Sequence, residues 1–180
     1  MCQQGWTLNP SNCRCYKYVA TPTTWTEANR ICQRIAPINS LPNPPVTRTH
    51  FSDILNNICQ NISPTNSLPN PQVVKRHLAS IANSQENNFV ADLAGGNTAF
   101  IGGAQLREGS WIWTDGQEFD FEDGFSNWSL LQPDNWRGNE SCMTINGPER
   151  GLWNDVPKDH KFPFVCQYLD LTKLNVCRSL

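Results

Sequence analysis

Five oxygen-bearing side chains in the last third of the chain are the residues best suited to chemistry. Gln132, Asp134, Glu140, Asn154 and Asp155 occupy segments broken by glycine and proline. Calcium prefers about six to eight hard oxygen ligands in a flexible geometry. Three carboxylates and two carboxamides supply a negatively charged set that can also accept backbone or ligand oxygens. The pattern is therefore compatible with a calcium site in loops between short apolar strands.

Other interpretations of these residues are less specific. Zinc and copper prefer His and Cys ligands, whereas His50, His77 and His160 are isolated in the sequence. Asp and Asn also stabilise turns by bonding to their own backbone, which stays open as an alternative to metal binding. The sequence contains no Gly-x-Ser-x-Gly, His-Glu-x-x-His or phosphate-loop motif. We therefore assign no catalytic residue and expect a binding protein rather than an enzyme.

The composition predicts a single globular domain over residues 1–180. The chain contains 38% hydrophobic residues, seven Trp and only 17% charged residues, which favours a packed core over a disordered chain. Its net charge of −2 lacks the basic excess that nucleic acid or an anionic membrane requires. No apolar run approaches the length of a bilayer span, so we expect neither nucleic-acid binding nor direct membrane insertion.

The cysteines indicate an oxidising compartment. There are eight, spread along the whole chain: Cys2, Cys13, Cys15, Cys32, Cys59, Cys142, Cys166 and Cys177. An even number without paired CxxC motifs favours disulfides over zinc. Glycosylation sequons begin at Asn127 and Asn139 and agree with export. We expect a secreted or extracellular glycoprotein, present here as a mature domain or fragment because the amino terminus lacks a hydrophobic signal core.

Hydrophobic periodicity predicts two helices followed by short strands. Residues 16–19 form a strand pattern, and Thr24 with Glu27 forms the Thr-x-x-Glu box that satisfies the first free backbone donors of a helix through Cys32. A second helix starts near Ser84 and stops at the Gly95–Gly96 pair. Later strands are predicted at 99–102, 111–113, 142–145 and 164–168. Early helices and later strands predict the α+β class.

The segment from about 37 to 76 differs in character from the rest. It is rich in proline and repeats the hexapeptide Asn-Ser-Leu-Pro-Asn-Pro at 39–44 and 66–71. Apolar residues within 51–59 follow a helical spacing. We interpret the segment as a proline-rich insertion of extended connectors around a short surface helix tied down by Cys59.

Aromatic, glycine and cysteine motifs run in order along the chain outside this insertion. They are Cys2-x-x-Gly5-Trp6, Trp25-Thr-Glu27-Ala28, His77-Leu78-Ala79-Ser80-Ile81, Phe100-Ile101-Gly102-Gly103, Trp111-x-Trp113-x-Asp115-Gly116, Gln132-Pro133-Asp134, Glu140-Ser141-Cys142, Trp153-Asn154-Asp155 and Phe164-Val165-Cys166. This series resembles the C-type lectin-like domain family. The resemblance implies two helices, the second at the His77 motif, two small antiparallel sheets and a long calcium-binding loop. It also implies a Cys32 to Cys166 disulfide.

The same resemblance assigns roles to the candidate site. It implies that Gln132, Asp134, Glu140, Asn154 and Asp155 ligate one calcium ion, with a cis proline inside the Gln132-Pro133-Asp134 frame. Two vicinal sugar hydroxyls then complete the calcium shell and bond to the surrounding acids and amides, so the order of acid and amide selects the sugar. Gln-Pro-Asp is the galactose-type order, and Glu-Pro-Asn would be the mannose-type order.

Trp136 supports the same sugar. Galactose has an apolar face that stacks on an aromatic ring, and galactose-binding family members carry Trp at the matching position. We therefore expect Gln132, Asp134, Trp136, Glu140 and Asn154 to bind the sugar. Core packing is the alternative for Trp136, but its polar neighbours Asn135 and Arg137 favour an exposed ring.

Three departures from the family pattern modify these expectations. The second calcium site of some members should fail, because Gln105, Asn135 and Ser141 stand where carboxylates are expected. Lys158 stands where a cysteine partner for Cys142 is expected, which leaves Cys142 to pair elsewhere, for instance with Cys59, or to stay a thiol. Galactose-specific receptors follow their Trp with a glycine-rich stretch, which this chain lacks, so its selectivity should be looser. A glycan on the Asn139 sequon would crowd the site, so we expect that sequon to be unused.

The sequence therefore predicts calcium-dependent binding of a galactose- or N-acetylgalactosamine-type sugar on a glycan or glycoprotein. Oligomerisation for avidity is compatible with this function but is not predicted by any motif. The alternative is a lectin-like module that recognises a protein or another non-sugar ligand through the same loop, with calcium playing only a structural part.

Overall fold

The structure is a computed structural model that describes residues 2–35, 75–117, 119 and 124–169. Its elements in chain order are β1 (Thr7–Asn9), β2 (Arg14–Thr23), α1 (Trp25–Arg34), β3 (Arg76–Leu78), α2 (Ser84–Leu93), β4 (Ala99–Arg107), β5 (Ser110–Trp113), a 3-10 turn (Trp136–Gly138), β6 (Glu140–Ile145), β7 (Trp153–Pro157) and β8 (Phe162–Leu169). The predicted helix at 51–59 and the insertion up to residue 74 lie outside the described residues. Neither α1 nor α2 is long and apolar enough to cross a lipid bilayer.

Helix α1 starts where the sequence predicts, but without the predicted capping bonds. Thr24 is the N-cap residue, yet its side chain makes no capping hydrogen bond. Glu27 instead pairs with Arg30 at 3.5 Å. The helix is held by its buried face, where the indole Nε1 of Trp25 donates to the carbonyl of Ile101 at 2.9 Å. Burial of this face outweighs the missing caps, as tertiary packing does for most protein helices.

Helix α2 follows its predicted start and stop. Its N-cap is Asn83, whose side chain accepts a hydrogen bond from the backbone N–H of Glu86 at 2.9 Å. The helix ends before Gly95 and Gly96, which have φ values of 62° and 76° that glycine adopts without steric cost. The family motif from His77 had been assigned to this helix, and that assignment is wrong. His77 lies in β3, because its backbone pairs with Gln167 of β8.

All eight strands join into one mixed sheet with β8 at its centre, in place of the two small antiparallel sheets that the resemblance implies. The strand order is β1-β2-β8-β4-β6-β7, with β3 added to β8 and β5 added to β4. Every pairing is antiparallel except that of β4 with β8, which are parallel at Phe100 and Phe164. Residues 164–168 are continuously buried, as expected for a strand covered on both faces. The predicted strand segments are confirmed in β2, β4, β5, β6 and β8, whereas β1, β3 and β7 were not predicted.

Two disulfides join described cysteines. Cys32 on α1 bonds Cys166 on β8, as predicted, with their Cα atoms 5.4 Å apart. Cys2 bonds Cys15 across the amino-terminal strands, and Cys13 is also disulfide-bonded. Cys142 is fully buried. Long-range crosslinks of the Cys32–Cys166 kind stabilise a fold mainly by restricting the unfolded chain.

Strand β7 is anchored by the indole of Trp153. This fully buried ring makes edge contacts with Trp113 and Trp128 at centroid distances of 5.6 and 5.9 Å. Its Nε1 donates to Asn87 of α2 at 2.7 Å. Its backbone forms a parallel bridge with Trp128. The segment after Trp128 is therefore fixed beside β7, next to the position of Asp155.

Candidate metal and ligand site

The loop before β6 is shaped by a turn and a cis peptide. The Gln132 N–H donates to the Ser129 carbonyl at 3.0 Å, and Leu131 inside this turn has a φ of 67°. The Gln132–Pro133 bond is cis. Asn135 and Arg137 also have positive φ values, 46° and 56°, so the chain reverses direction repeatedly over a few residues. This path carries the predicted site residues toward β6 and β7.

Three of the predicted ligands come together as a carboxylate cluster. Asp134 in the loop, Glu140 at the start of β6 and Asp155 in β7 each offer one oxygen atom, and these atoms lie within 4.8 Å of one another. Asp134 is exposed, Glu140 is half-buried and Asp155 is buried. The expectation that all site residues lie in loops is wrong for Glu140, Asn154 and Asp155. A strand position suits them because the β6–β7 ladder fixes their backbone spacing.

Backbone donors hold two of the carboxylates. Asp155 accepts hydrogen bonds from the N–H groups of Asp134 and Asn135 at 3.2 and 2.9 Å. Glu140 Oε2 accepts from the Trp136 N–H at 2.9 Å. In return, the Asn135 side-chain oxygen accepts from the Glu140 N–H at 3.0 Å. Loop and strands are therefore locked to each other through the cluster.

Two carboxyls of the cluster have raised pKa values. Burial raises the pKa of Asp155 above its usual range, and its backbone donors offset this only in part. Burial also raises the pKa of Glu140, with the nearby charges of Asp155 and Asp134 adding to the effect. Like-charged carboxyls favour protonation when no cation compensates them. Because the cluster contains only oxygen ligands, it fits a hard cation such as calcium rather than zinc or copper.

The two predicted amide ligands lie close to members of this cluster in the sequence. The Gln132 side-chain oxygen accepts a hydrogen bond from the Asp134 N–H at 3.1 Å. Asn154 lies beside Asp155 in β7, and its Nδ2 donates to the Asp155 carbonyl at 2.8 Å. That bond leaves the Asn154 Oδ1 atom for other contacts. Both amides are half-buried next to the carboxylates, so they can add neutral oxygen donors to the set.

Trp136 is exposed, and the alternative that it packs in the core is wrong. Its side chain is 57% exposed in the 3-10 turn. The Arg137 guanidinium lies 4.0 Å from the centroid of its ring, a distance at which a cation attracts an aromatic face. Arg137 therefore packs against one face of the ring. The sequence analysis did not find this contact, although adjacent Trp and Arg in a polar loop are a usable signal.

One of the two sequons belongs to the scaffold of the site. Asn127 is half-buried, and its Nδ2 donates to the Gly151 carbonyl at 2.7 Å. A glycan is attached through this same nitrogen, so modification would disturb the contact. Asn139 is exposed and immediately precedes Glu140.

Comparisons with known proteins agree on one family. The model of the Lectin C-type domain matches residues 72–168. A lectin of Pleurodeles waltl is 28% identical over 93% of this chain and 76% of its own length. An alpha-N-acetylgalactosamine-specific lectin of Patiria pectinifera is 29% identical over 90% of this chain and 77% of its own length. The crystal structure of C-type lectin CEL-I from Cucumaria echinata superimposes with a TM-score of 0.66, at 23% identity, over 93% of this chain and 97% of that one.

Proposed function

Because this chain belongs to the C-type lectin domain family, we propose that it binds carbohydrate in a calcium-dependent manner and prefers galactose-type sugars. The observation that carries the proposal is the Asp134, Glu140 and Asp155 cluster beside an exposed Trp136. A charged oxygen cluster and an apolar ring suit the two kinds of surface that a sugar presents. The protein acts by binding alone, and no group transfer or bond cleavage is part of the proposal.

Calcium would be held by Asp134, Glu140 and Asp155 together with Gln132 and Asn154. When bound, the ion supplies direct coordination of sugar hydroxyls. The carboxylates of Asp134 and Glu140 accept hydrogen bonds from those hydroxyls, and the amides of Gln132 and Asn154 donate to them. Each of these side chains makes a hydrogen bond within the site and keeps further donor or acceptor capacity for a ligand.

Galactose preference is supported by the order of acid and amide and by the aromatic ring. Gln132 contributes an amide where the mannose-type order would have an acid, and Asp134 contributes the acid. Trp136 offers a large, exposed aromatic face for the apolar side of the sugar. The printed specificity of the Patiria pectinifera relative for alpha-N-acetylgalactosamine agrees with this preference.

The disulfides indicate the compartment in which the protein acts. The Cys2–Cys15 and Cys32–Cys166 disulfides form and persist in oxidising compartments. We propose that the protein is secreted or extracellular, where calcium is abundant and terminal galactose-type sugars on glycans and glycoproteins are its partners.

The test is retention on immobilised galactose, followed by elution with a chelator, free galactose or free mannose. Chelator and galactose should elute the protein, and mannose should elute it poorly. Calcium should also raise the melting temperature, because a ligand at about 100 times its Kd adds about 2.7 kcal/mol to the free energy of unfolding. Glu140→Gln should abolish both the retention on immobilised galactose and the calcium-induced rise in melting temperature.

The matched control is Glu149→Gln, since Glu149 is an exposed glutamate in the turn that joins β6 to β7. This variant should behave like the parent. Equal melting temperatures in saturating calcium and in chelator would contradict the calcium site. Retention that resists both chelator and every sugar would indicate a non-sugar ligand.

A further inference from the structure

A cleft of about 360 Å³ opens beside the carboxylate cluster. One wall is the β4–β5 hairpin, which contributes Gln105, Glu108 and Trp111, and the other is the loop segment 133–135. The volume lies in the range of about 300–1,000 Å³ found for small-molecule sites. Since a water molecule takes about 30 Å³ of liquid, the cleft has room for a body the size of a hexose.

The cleft is continuous with the site through Asp134. This residue lines the cleft and also contributes a carboxylate oxygen to the cluster with Glu140 and Asp155. A ligand whose end group is held at the cluster therefore extends over Asp134 directly into the cleft. A monosaccharide held at the cluster would leave the cleft to water.

The polar groups of the cleft suit hydroxyls, which both donate and accept hydrogen bonds. The side-chain oxygen of Asn135 is already bonded to the Glu140 N–H at 3.0 Å, so the amide nitrogen is what Asn135 can offer as a donor. Glu108 is exposed and offers an acceptor. Gln105 offers both kinds of group. Trp111 is almost fully buried, so it closes the cleft on the hairpin side and offers little surface to a ligand.

The same groups disfavour charged occupants. A calcium ion would need several carboxylates, but Glu108 is the only one that the hairpin brings to this cleft, and the Asn135 oxygen is occupied. A carboxylate or sulfate would meet the negative charge of Glu108, whereas calcium held at the cluster would compensate that of Asp134. Juxtaposed like charges select against such a ligand.

We propose that this cleft is a subsite for a second, uncharged sugar residue of an oligosaccharide whose terminal residue is held at the cluster. The inference rests on the proposed function, because it needs the terminal sugar to bind first. It adds that the natural ligand is an oligosaccharide with a neutral penultimate residue, and that Gln105 and Glu108 recognise that residue.

The experiment is calorimetric titration of the full chain in calcium with three ligands. They are the best-binding methyl monosaccharide, a neutral disaccharide that ends in this sugar, and a disaccharide with the same end and a uronic acid as the second residue. The neutral disaccharide should bind about five- to tenfold more tightly than the monosaccharide, which corresponds to about 1–1.4 kcal/mol. The acidic disaccharide should show no gain.

Variants distinguish the cleft from the cluster. Glu108→Ala should remove most of the disaccharide gain and leave the monosaccharide Kd within about twofold, and Gln105→Ala should reduce the gain. Glu108→Gln should improve the acidic disaccharide. Glu149→Ala, which removes the same charge from the far turn of the β6–β7 hairpin, should change none of these values.

The remaining outcomes would overturn the subsite alone or the proposed function together with it. Monosaccharide binding without any disaccharide gain overturns the subsite alone. A gain that survives Glu108→Ala and Gln105→Ala also overturns it, as does a stoichiometry of two calcium ions per chain, which would put an ion in the cleft. A failure of every monosaccharide to bind overturns the proposed function, and the subsite with it.

Discussion

The backbone N–H of Trp136 donates a hydrogen bond of 2.9 Å to the side-chain carboxylate of Glu140. This contact ties the exposed aromatic ring to one of the three clustered acids. Trp136 offers an apolar face and Glu140 offers a charged oxygen. The hydrogen bond therefore fixes the spacing between these two groups. The bond uses the main chain of Trp136, so the ring can be changed without removing it.

Replacing the ring should separate sugar binding from calcium binding. In Trp136→Ala the N–H to Glu140 remains, so we expect the calcium-induced rise in melting temperature to be unchanged. Galactose affinity should fall about five- to tenfold, because an aromatic stacking partner is worth about 0.5–1.5 kcal/mol beyond its buried area. Trp136→Phe should retain part of the affinity. Loss of the calcium effect in Trp136→Ala would show that the ring supports the cluster itself.

Exchanging acid and amide should change the preferred sugar. Gln132→Glu combined with Asp134→Asn keeps the net charge, and the Asp134 N–H can still donate to position 132. We expect preference to move from galactose toward mannose, measured as the ratio of the two inhibition constants. The loop is not the selective element if this double variant keeps the parental ratio.

Lowering the pH should stabilise the fold in the absence of calcium. In the presence of calcium it should weaken sugar binding. The pKa values of Glu140 and Asp155 are raised in the calcium-free fold, chiefly by burial. The folded state therefore binds more protons than the unfolded chain, and these groups destabilise the fold as the pH rises through their raised pKa values. Without calcium, lowering the pH from 7 toward the ordinary carboxyl range near about 4 should recover this stability. Asp155→Asn should reduce the recovery.

With calcium, protons compete with the ion for the same carboxylates. Sugar binding should be lost in mild acid at a midpoint that falls to lower pH as calcium is increased. Titrations from pH 7.5 to 5 at low and high calcium would measure this shift. A midpoint independent of calcium would point instead to general unfolding or to a group outside the cluster.

Replacing the two sequon asparagines should change the free energy of unfolding by different amounts, even in protein that is not glycosylated. Asn127→Ala removes the 2.7 Å hydrogen bond to the Gly151 carbonyl, and we expect a loss of about 1 kcal/mol in the free energy of unfolding. Asn139→Ala removes an exposed side chain and should change it by less than about 0.5 kcal/mol. Denaturant unfolding of protein from a host that does not glycosylate would measure both. Equal losses would contradict the structural assignment of Asn127.

A glycine should be better than the natural leucine in the turn before Gln132. Leu131 has a φ of 67° and is 84% exposed, so it bears a left-handed conformation that costs a non-glycine residue about 1–2 kcal/mol and buries little. Leu131→Gly should raise the free energy of unfolding by about 0.5–1 kcal/mol after the entropy cost of glycine. Leu130→Gly, in the same turn without a positive φ, should lower it. Denaturant unfolding of both variants distinguishes them, and a loss in each would mean that Leu131 makes a stabilising contact.

Local patterns determined the parts of the fold that depend on periodicity and stop signals. The Thr24–Glu27 box predicted α1, apolar spacing and the Gly95–Gly96 pair predicted α2, and short apolar runs predicted five strands. Apolar patterns did not predict β1, β3 and β7, because polar residues interrupt their sequences Thr-Leu-Asn, Arg-His-Leu and Trp-Asn-Asp-Val-Pro. They exist through pairing with distant partners, as β3 does with β8. Likewise, the Thr24 box predicted a helix start but not its missing capping bonds, since burial of Trp25 stabilises that helix instead.

For the site, the sequence by itself determined which residue types are available, and it favoured oxygen ligands and an exposed Trp136. Only the tertiary structure decided that Asp134, Glu140 and Asp155 meet within 4.8 Å, because their approach depends on the β6–β7 ladder and on the bridge between Trp128 and Trp153. The stacking of Arg137 on Trp136 and the cleft at Glu108 were also decided there. Such contacts join side chains whose relative positions no linear spacing specifies, since they follow from how separate elements pack.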